Sequence, residues 1–583
     1  MSEEKKDYKA QISELLSHYE DGAQIFINAY KAKNWRYPVN LKEESKGDPS
    51  LPRTWIELSD KVISIIATEK YGLNCHANEI QIITAEQMNE ALANVGLPVS
   101  IPHWENGVKS LAQKREYEEN PHLPFEIVIN SNPSIAYCME DNLPFMQQLV
   151  IAHACYGHNA FFKNNYMFKD HTDADTIIDD LIRFRDFIYE CETKYGWQEV
   201  ETVMDFCSAM RFMDVYRDIR PKQYQTIEEQ KSLKQERVQD KIFEKPIKKF
   251  GTSTGTSKSE LNSEFNESAQ GRPEYAHRDN ENVLMFIAEK APHVPNWARE
   301  IMRMRSKISQ YFWPQMHTKV FNEGFASYTH YLIMTDLHEM KLMDDGTYLQ
   351  FTTSHGGVLR QPEFDETRKF RAPDGSIKER QIYNGINPYA LGFAILDDIK
   401  RISMEPTAED KKWFPEFAGN GKWWENIKYA AFHHNDHEGI TQYLSPEVMR
   451  NFKFFTTIDD KSEQLYEIGA IHDHDGYENL RRALAKDNKI TDMIPDIRVH
   501  DCHERTDRAL ILRHYVRNGK VLDDGVTPDV LMYMHQLWGH PVVIESVDED
   551  GEILNVVTSS RDYDYDRSCM EEDMSHYFSV LKM

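Results

Sequence analysis

The chain has 583 residues, of which 40% are hydrophobic and 28% charged, so it is long enough for several domains and apolar enough to fill their cores. The 95 acidic residues outnumber the 68 basic ones, and the formal net charge of −27 disfavours nucleic acid as a partner and an anionic membrane as a surface. No apolar stretch could serve as a signal peptide or a membrane span, and the seven scattered cysteines form no C-x-x-C pair, so we expect a cytoplasmic protein with reduced thiols and no integral membrane segment.

The first part of the chain mixes strands and helices. After an N-terminal extension at 1–54, apolar residues at 79–83 predict a strand, and Thr84 with Gln87 forms a capping box that begins a helix. A second strand is predicted at 125–130. Three long helices follow, at about 142–162, 174–194 and 197–216. We interpret residues 55–225 as the first, α+β part of a core.

A change of composition interrupts this core. Ten of the twenty residues at 251–270 are Ser, Thr or Gly, and only three are apolar. Such a segment buries too little apolar surface to offset the entropy lost on ordering. The sequence therefore predicts a flexible insert at 226–280.

The chain after the insert is mainly helical until its last hundred residues. Apolar spacing predicts a helix from Pro295 that ends at Pro314, and another at about 317–340. From about 490 the pattern changes to short strands around one helix. We interpret 281–489 as the second part of the core and 490–583 as a small C-terminal α+β domain. The predicted fold class is α+β, with a predominantly helical core and a small sheet.

Two polar segments within apolar surroundings are candidates for metal binding. One contains His153 and His158, and the other contains Glu323 and His330. Imidazole and carboxylate groups are ligands of zinc and of other divalent transition metals. The same side chains could instead be hydrogen-bonded polar groups in a helix interface that holds no metal.

Helix geometry limits how these residues could share an ion. His153 and His158 are five residues apart, so their side chains diverge by about 140° on an ideal α-helix. Both can reach one ion only if the helix is distorted, and Gly157 is where distortion is easiest. Glu323 and His330 share a face but lie about 10.5 Å apart along the axis. An undistorted helix therefore favours one of them as a ligand and the other as a residue that supports the ligands or contacts substrate. We assign Glu323 as a ligand and His330 as a fourth ligand or a substrate contact.

Other polar residues are weaker candidates. His355, predicted on a flexible loop at 353–357, is a possible further ligand. The residues assigned to substrate contact or to support of the ligands are His103, Asn159, Lys163, Asn164 and His355. The chain has no P-loop, no nucleophile-elbow motif and no H-E-x-x-H motif, so no catalytic residue is assigned.

Taken together, several segments resemble the stage V sporulation protein R family over about residues 55–555. The segments that carry the resemblance are Pro102–Trp104, Glu126–Pro133, Ala152–Asn165, Asn322–Gly324, Asn387–Phe393, Leu444–Arg450 and Leu537–Gly539. The resemblance implies a cytoplasmic bacterial protein of spore-cortex (peptidoglycan) formation or of stress-related envelope biogenesis. It further implies a stress-linked serine protein kinase and other envelope-biogenesis proteins as partners.

The order of the candidate segments is similar to that of zincin-type metallohydrolases, so the core could be zincin-like. The likeness has two departures: Ala154 stands where those enzymes carry their catalytic glutamate, and the two histidines are five residues apart rather than four. Our leading interpretation is a zinc-dependent hydrolase, and another divalent transition metal could replace zinc. The alternative is a non-catalytic regulatory or scaffold protein whose polar clusters are structural.

Overall fold

The structure is a computed structural model, and part of the chain lies outside its description. It describes residues 7–32, 35–37, 39–41, 50–94, 96–119, 125–217, 281–364, 366–371, 376–454, 457–458, 467–468, 473–502, 507–517, 519–560 and 580–581. The predicted insert at 226–280 lies outside the described residues.

The described residues form helices and short strands. The helices are α1 (Tyr8–Leu16), α2 (Gln24–Lys31), α3 (Trp55–Ile65), α4 (Ala85–Ala93), α5 (Trp104–Glu119), α6 (Pro144–Ile151), α7 (Asn159–Asn164), α8 (Tyr166–His171), α9 (Ile177–Tyr195), α10 (Trp197–Ala209), α11 (Val283–Lys290), α12 (Asn296–His317), α13 (Lys319–Glu339), α14 (Asp345–Val358), α15 (Pro388–Met404), α16 (Ala408–Trp413), α17 (Trp423–His433), α18 (Asp436–Tyr443), α19 (Pro446–Asn451), α20 (His474–Asp487) and α21 (Thr527–Trp538). The strands are β1 (Asn78–Ile83), β2 (Glu126–Ile129), β3 (Ser134–Met139), β4 (Thr367–Arg371), β5 (Ile377–Gln381), β6 (Thr457–Ile458), β7 (Glu467–Ile468), β8 (Asp496–Cys502), β9 (Leu510–Tyr515), β10 (Val542–Val547), β11 (Ile553–Thr558) and β12 (Val580–Leu581).

The chain divides into two compact units. The first comprises Met1–Glu190 and Phe312–Ile490, and the second comprises Cys191–Tyr311 and Thr491–Met583. The sequence had placed boundaries at 226–280 and at 490 instead, and those boundaries stay a prediction. No helix among the described residues is both long and apolar enough to cross a bilayer.

The first unit contains a small sheet beside a large helical core. Its strand order is β1-β3-β2, with β1 parallel and β2 antiparallel to the central β3. The predicted capping box is confirmed, since the Thr84 and Gln87 side chains each accept a hydrogen bond from the other's backbone N–H. β2 begins at Glu126, so the pairing of β2 with β3 fixes the position of this carboxylate.

α13 is the central helix of this core and packs very closely on α15. A Cβ on Gly324 would lie 2.5 Å from the backbone of Gly392, so the two helices can cross at this distance only because both positions are glycine. The first turn of α13 has no cap from its own Thr318. Instead the buried Asp436 carboxylate accepts hydrogen bonds from the backbone N–H groups of Val320 and Phe321, at 2.8 and 2.9 Å. Helix α13 is therefore fixed near Glu323 at two independent points.

One predicted helix boundary is wrong. Pro314 does not end α12, which continues to His317. A proline this close to the C-terminus removes one helical hydrogen bond, and the Thr318 hydroxyl donates to the Pro314 carbonyl at 2.8 Å.

The second unit is built around one mixed sheet with the strand order β12-β11-β10-β9-β8. β9 and β10 are parallel, and α21 lies between them in the chain, as expected for a crossover connection. All six residues of β10 are buried, as is typical of a strand covered on both faces. The predicted fold class is thus confirmed: the protein is α+β, with a helical core and a small C-terminal sheet.

Candidate metal centre

A π-helix places His153 and His158 next to each other. α6 passes directly into a π-helical stretch, Ala152–His158, and α7 begins at the following residue. In a π-helix each backbone N–H bonds to the carbonyl five residues earlier, as that of Asn159 does with Ala154. Side chains five apart are therefore brought close to alignment. The two imidazole rings are nearly perpendicular, with their centroids 4.6 Å apart, so the distortion that the spacing requires is present.

Gly157 allows a close contact between helices. A Cβ at this position would lie 2.5 Å from the Cα atom of Ala326 on α13 and 2.8 Å from its Cβ. Such distances are far below van der Waals contact, so only glycine lets the π-helix lie this near α13. Ala326 is three residues from Glu323, and the close approach brings Glu323 to the two histidines.

Glu323 completes a group of three that we call the triad: His153, His158 and Glu323. The Oε2 atom of Glu323 lies 3.5 Å from Nε2 of His158 and 3.7 Å from Nε2 of His153. One ligand atom from each residue lies within 4.8 Å of the other two. Within the described chain, Oε2 is buried and has no hydrogen-bond partner. Because a divalent cation between these atoms would satisfy it, the donor set fits a metal.

The ring nitrogen of His158 that faces away from Glu323 is held in place. Its Nδ1 lies 2.9 Å from the Oδ1 atom of Asn322. Because an amide oxygen only accepts, Nδ1 carries the proton and donates it. The lone pair of neutral His158 is then on Nε2, which faces Glu323. This is the tautomer that a metal ligand needs.

His153, His330 and His355 form a chain of imidazole rings that are joined by hydrogen bonds. The Nδ1 atoms of His153 and His330 lie 2.9 Å apart, and Nε2 of His330 lies 2.8 Å from Nδ1 of His355. Both nitrogens of His330 therefore face other imidazoles. The prediction of a loop around His355 is wrong, because α14 runs to Val358 through Gly356 and Gly357. The His355 ring is buried and stacks on Phe351 and Tyr331, and this packing outweighs the low helix propensity of the two glycines.

Burial and the neighbouring charges shift the protonation of the triad. Burial would raise the pKa of Glu323, but the two histidines lower it below its ordinary value. Burial lowers the pKa of His158 to about 4, despite the attraction of Glu323. Burial also opposes the charged form of His153, but the carboxylates of Glu323 and Glu126 outweigh this effect and raise its pKa. At neutral pH the triad thus offers a carboxylate and at least one neutral imidazole.

Two further residues reach the triad, and the sequence assigned no role to either. Oε1 of Glu126 lies 3.7 Å from Nε2 of His153, and burial raises the pKa of this carboxyl group. The Tyr389 ring lies parallel to that of His153 with a centroid distance of 6.4 Å. Burial and the nearby Glu323 carboxylate raise the pKa of Tyr389. Both residues lie in segments that carried the family resemblance, which was the available signal in the sequence.

The side chains of three predicted substrate contacts, Asn159, Lys163 and Asn164, hydrogen-bond to the backbone of the segment before β1. Asn159 exchanges two hydrogen bonds with the backbone of His76, at 2.8 and 2.9 Å. Lys163 donates to the Cys75 carbonyl at 2.7 Å, and Asn164 donates to that of Asn74 at 2.8 Å. As contacts to a substrate, these three residues stay a prediction.

His103 lies at the beginning of α5. Its Nδ1 is 3.6 Å from a carboxylate oxygen of Glu105, and its ring lies against Trp104. Its predicted place at the rim of a binding site also stays a prediction.

Fold and site together define the class: an α+β protein with a helical core in which two histidines and one glutamate form a buried cluster that could hold a metal ion. Residues 53–493 match the family described as "SpoVR like protein", and residues 495–549 match the "SpoVR-like C-terminal domain". The chain belongs to this family, which confirms the resemblance. It is 41% identical over 484 residues to "Uncharacterized protein YcgB" of Escherichia coli (strain K12), covering 83% of this chain and 90% of that protein. No solved structure matches the chain.

Proposed function

We propose that the triad binds one divalent transition metal and that the protein is a metal-dependent hydrolase. The observation that supports this most is the Oε2 atom of Glu323, which is buried without a hydrogen-bond partner within the described chain and lies between two imidazole nitrogens. Leaving such an atom unsatisfied costs about 1–3 kcal/mol or more for a charged group. Zinc is our first choice, and iron or manganese would accept the same ligands.

The surrounding residues suit hydrolysis of an amide or an ester. Zinc held by the three protein ligands would supply an activated water, since zinc in such sites lowers the pKa of its bound water to about 7. Glu126, whose Oε1 atom lies 3.7 Å from Nε2 of His153, would accept a hydrogen bond from the attacking water. It would replace the glutamate that zincin-type enzymes carry where this chain has Ala154. His330 would hold His153 in position from behind.

The biological setting rests on family membership. The SpoVR-like family supports a role in spore-cortex or stress-related envelope biogenesis, with a stress-linked serine protein kinase and other envelope-biogenesis proteins as partners. A hydrolase in that setting would act on an amide or ester of an envelope component or its precursor.

Elemental analysis tests the metal. Protein purified without chelators should contain about one transition-metal ion per chain, and His158→Ala or Glu323→Gln should remove it. His338→Ala is the matched control, because His338 lies on the same helix as Glu323 but pairs with Asp345 at 2.8 Å. Absence of stoichiometric metal, together with a melting temperature that added zinc does not change, would favour the non-catalytic scaffold instead.

An activated ester tests the chemistry. We expect the metal-loaded protein to hydrolyse p-nitrophenyl acetate, and Glu126→Gln to retain its metal while losing about a hundredfold or more of the rate. If Glu126→Gln also loses the metal, Glu126 is a ligand and not the residue that orients water.

A further inference from the structure

Strands β4 and β5 form a hairpin that has no part in the core. They are antiparallel, and all ten of their residues are exposed. The base of the hairpin is fastened by Asn387, whose side chain donates to the Val358 and Arg360 carbonyls at 2.8 and 3.2 Å. The segment therefore joins the end of α14 to the beginning of α15, the helices that carry His355 and Tyr389.

The hairpin is basic in an acidic protein. Its strands contain five basic residues and one acidic residue, against a net charge of −27 for the chain. The register places Arg368 opposite Arg380 and Phe370 opposite Lys378. Because opposed residues project from the same side of a sheet, these four residues form one face, which we call the cationic face.

The opposite face differs in character. Lys369 is opposite Glu379, and the Glu379 carboxylate accepts a hydrogen bond from the Thr367 hydroxyl at 2.6 Å. The one acidic residue of the strands is thus on that face and already engaged. The cationic face contains three cations and an exposed phenylalanine, and the opposition of Arg368 and Arg380 is destabilising unless an anion lies between them.

We propose that this hairpin docks an acidic segment of a partner protein, which adds to an edge of the two-stranded sheet as an extended third strand with its alternate acidic side chains on the side of the cationic face. A two-stranded hairpin is marginally stable in water, and a third strand stabilises it. An added strand would take its affinity from backbone hydrogen bonds and its specificity from alternate side chains. Carboxylates at every second position would meet the cations, since residues on one face recur every two positions.

The charge distribution favours a peptide over a nucleic acid. A long polyanion would be repelled by the rest of this acidic chain, whereas a short acidic segment meets only the hairpin. The exposed cations also discourage two hairpins from pairing edge to edge, as charged edge strands do in general. The proposal goes beyond the proposed hydrolase function and does not depend on it.

Fluorescence anisotropy of the full-length protein tests the proposal. The probe is a fluorescein-labelled synthetic peptide of alternating Glu and Val. The test variant is Arg368→Glu with Arg380→Glu, and the matched control is Lys369→Glu with Arg371→Glu, which makes the same charge change on the opposite face. We expect the first pair to weaken binding at least about tenfold at low ionic strength and the control to weaken it much less.

Two further probes test the backbone ladder and the identity of the occupant. A peptide N-methylated at alternate residues cannot complete the ladder and should bind about tenfold more weakly. Equal loss in both double variants, or equal binding of the methylated peptide, would overturn the proposal. Tighter binding of oligouridine of equal charge, or self-association in sedimentation that only the first double variant abolishes, would assign the face to RNA or to a second copy. His158→Ala should bind the peptide normally, so loss of the metal would not be mistaken for loss of docking.

Discussion

The two units each bury a polar cluster, but the clusters are satisfied in different ways. In the second unit, Asp496 accepts hydrogen bonds from Arg498 at 2.9 Å and from Arg517 at 2.7 Å, and Arg217 lies 3.6 Å away. Both carboxylate oxygens of Glu281 are also bound, by the Arg217 backbone and the Arg498 side chain. In the triad of the first unit, by contrast, Oε2 of Glu323 faces imidazoles and has no hydrogen bond within the described residues.

This difference separates a structural cluster from a candidate site. The carboxylates around Asp496 meet guanidinium groups, which stay charged at every relevant pH, so the cluster is complete as it stands. The triad instead combines a carboxylate with two imidazoles, and such a set is completed by a cation once the imidazoles are neutral. Burial alone therefore does not identify a functional site, whereas an unpaired carboxylate oxygen that lies between two imidazole nitrogens marks a candidate metal site.

The largest effect that we predict is in the second unit. Asp496→Ala should lower the free energy of unfolding of this unit by about 3–5 kcal/mol, because it leaves buried guanidinium charge uncompensated. Hydrogen exchange of the β8 and β9 amides would measure the loss. Asp550→Ala, in an exposed turn of the same unit, is the control and should change little. Metal content should be unaffected in both variants, and a loss of metal in Asp496→Ala would show that the clusters are not independent.

The next effect concerns the triad and depends on metal. Zinc at a hundred to a thousand times its dissociation constant should stabilise the wild-type protein by about 2.7–4.1 kcal/mol. His158→Ala should abolish this gain, yet its stability without metal should be close to that of the metal-free wild type. Thermal melts with and without chelator provide the measurement. A large loss of stability in metal-free His158→Ala would make the triad a structural cluster like the one around Asp496.

A smaller effect tests the close approach that forms the triad. Gly157→Ala places a Cβ against Ala326 and should cost about 1–3 kcal/mol by overpacking. It should also weaken metal binding, because the π-helix must move away from Glu323. Gly107→Ala is the control: Gly107 lies within α5 with nothing within 4 Å of an added Cβ, so the change should be neutral or slightly stabilising. If both variants bind zinc normally, the contact at Gly157 does not position the triad.

The sequence was sufficient for much of the fold and for parts of the site. Local signals such as the Thr84 capping box act within a few residues, so they were readable without a structure. Polar residues within apolar helices indicated the triad, because a buried polar group needs a partner. The approach of Glu126 and Tyr389 to the triad could not be predicted from the sequence, because it depends on the pairing of β2 with β3 and on the crossing of α15 with α13. The burial of Asp436 could not be predicted from the sequence either. This residue lies in a histidine-rich segment whose composition is typical of a solvated loop, yet its side chain is buried at the first turn of α13.

We also predict a difference in pH dependence between Asp436 and Asp496. Burial raises the pKa of Asp436 from 3.8 to about 7 despite its backbone hydrogen bonds. The folded state then binds more protons than the unfolded state between these values, so the stability contributed by this group falls as pH rises from about 4 to about 7. Burial opposes ionisation of Asp496 too, but its arginines outweigh it and lower the pKa. Its contribution is therefore complete above about pH 4 and is lost as pH falls further.

Urea unfolding of the full chain between pH 4.5 and 7.5 separates the two carboxylates. Asp436→Asn cannot ionise, so the stability of the wild type relative to this variant should decline steadily across the range, while other buried groups titrate alike in both and cancel. The corresponding difference for Asp496→Asn should stay level, because the titration of Asp496 lies below the range. A level difference for Asp436→Asn would mean that Asp436 is ionised throughout this range. It would then cap α13 as an anion, just as Asp496 pairs with its arginines as an anion.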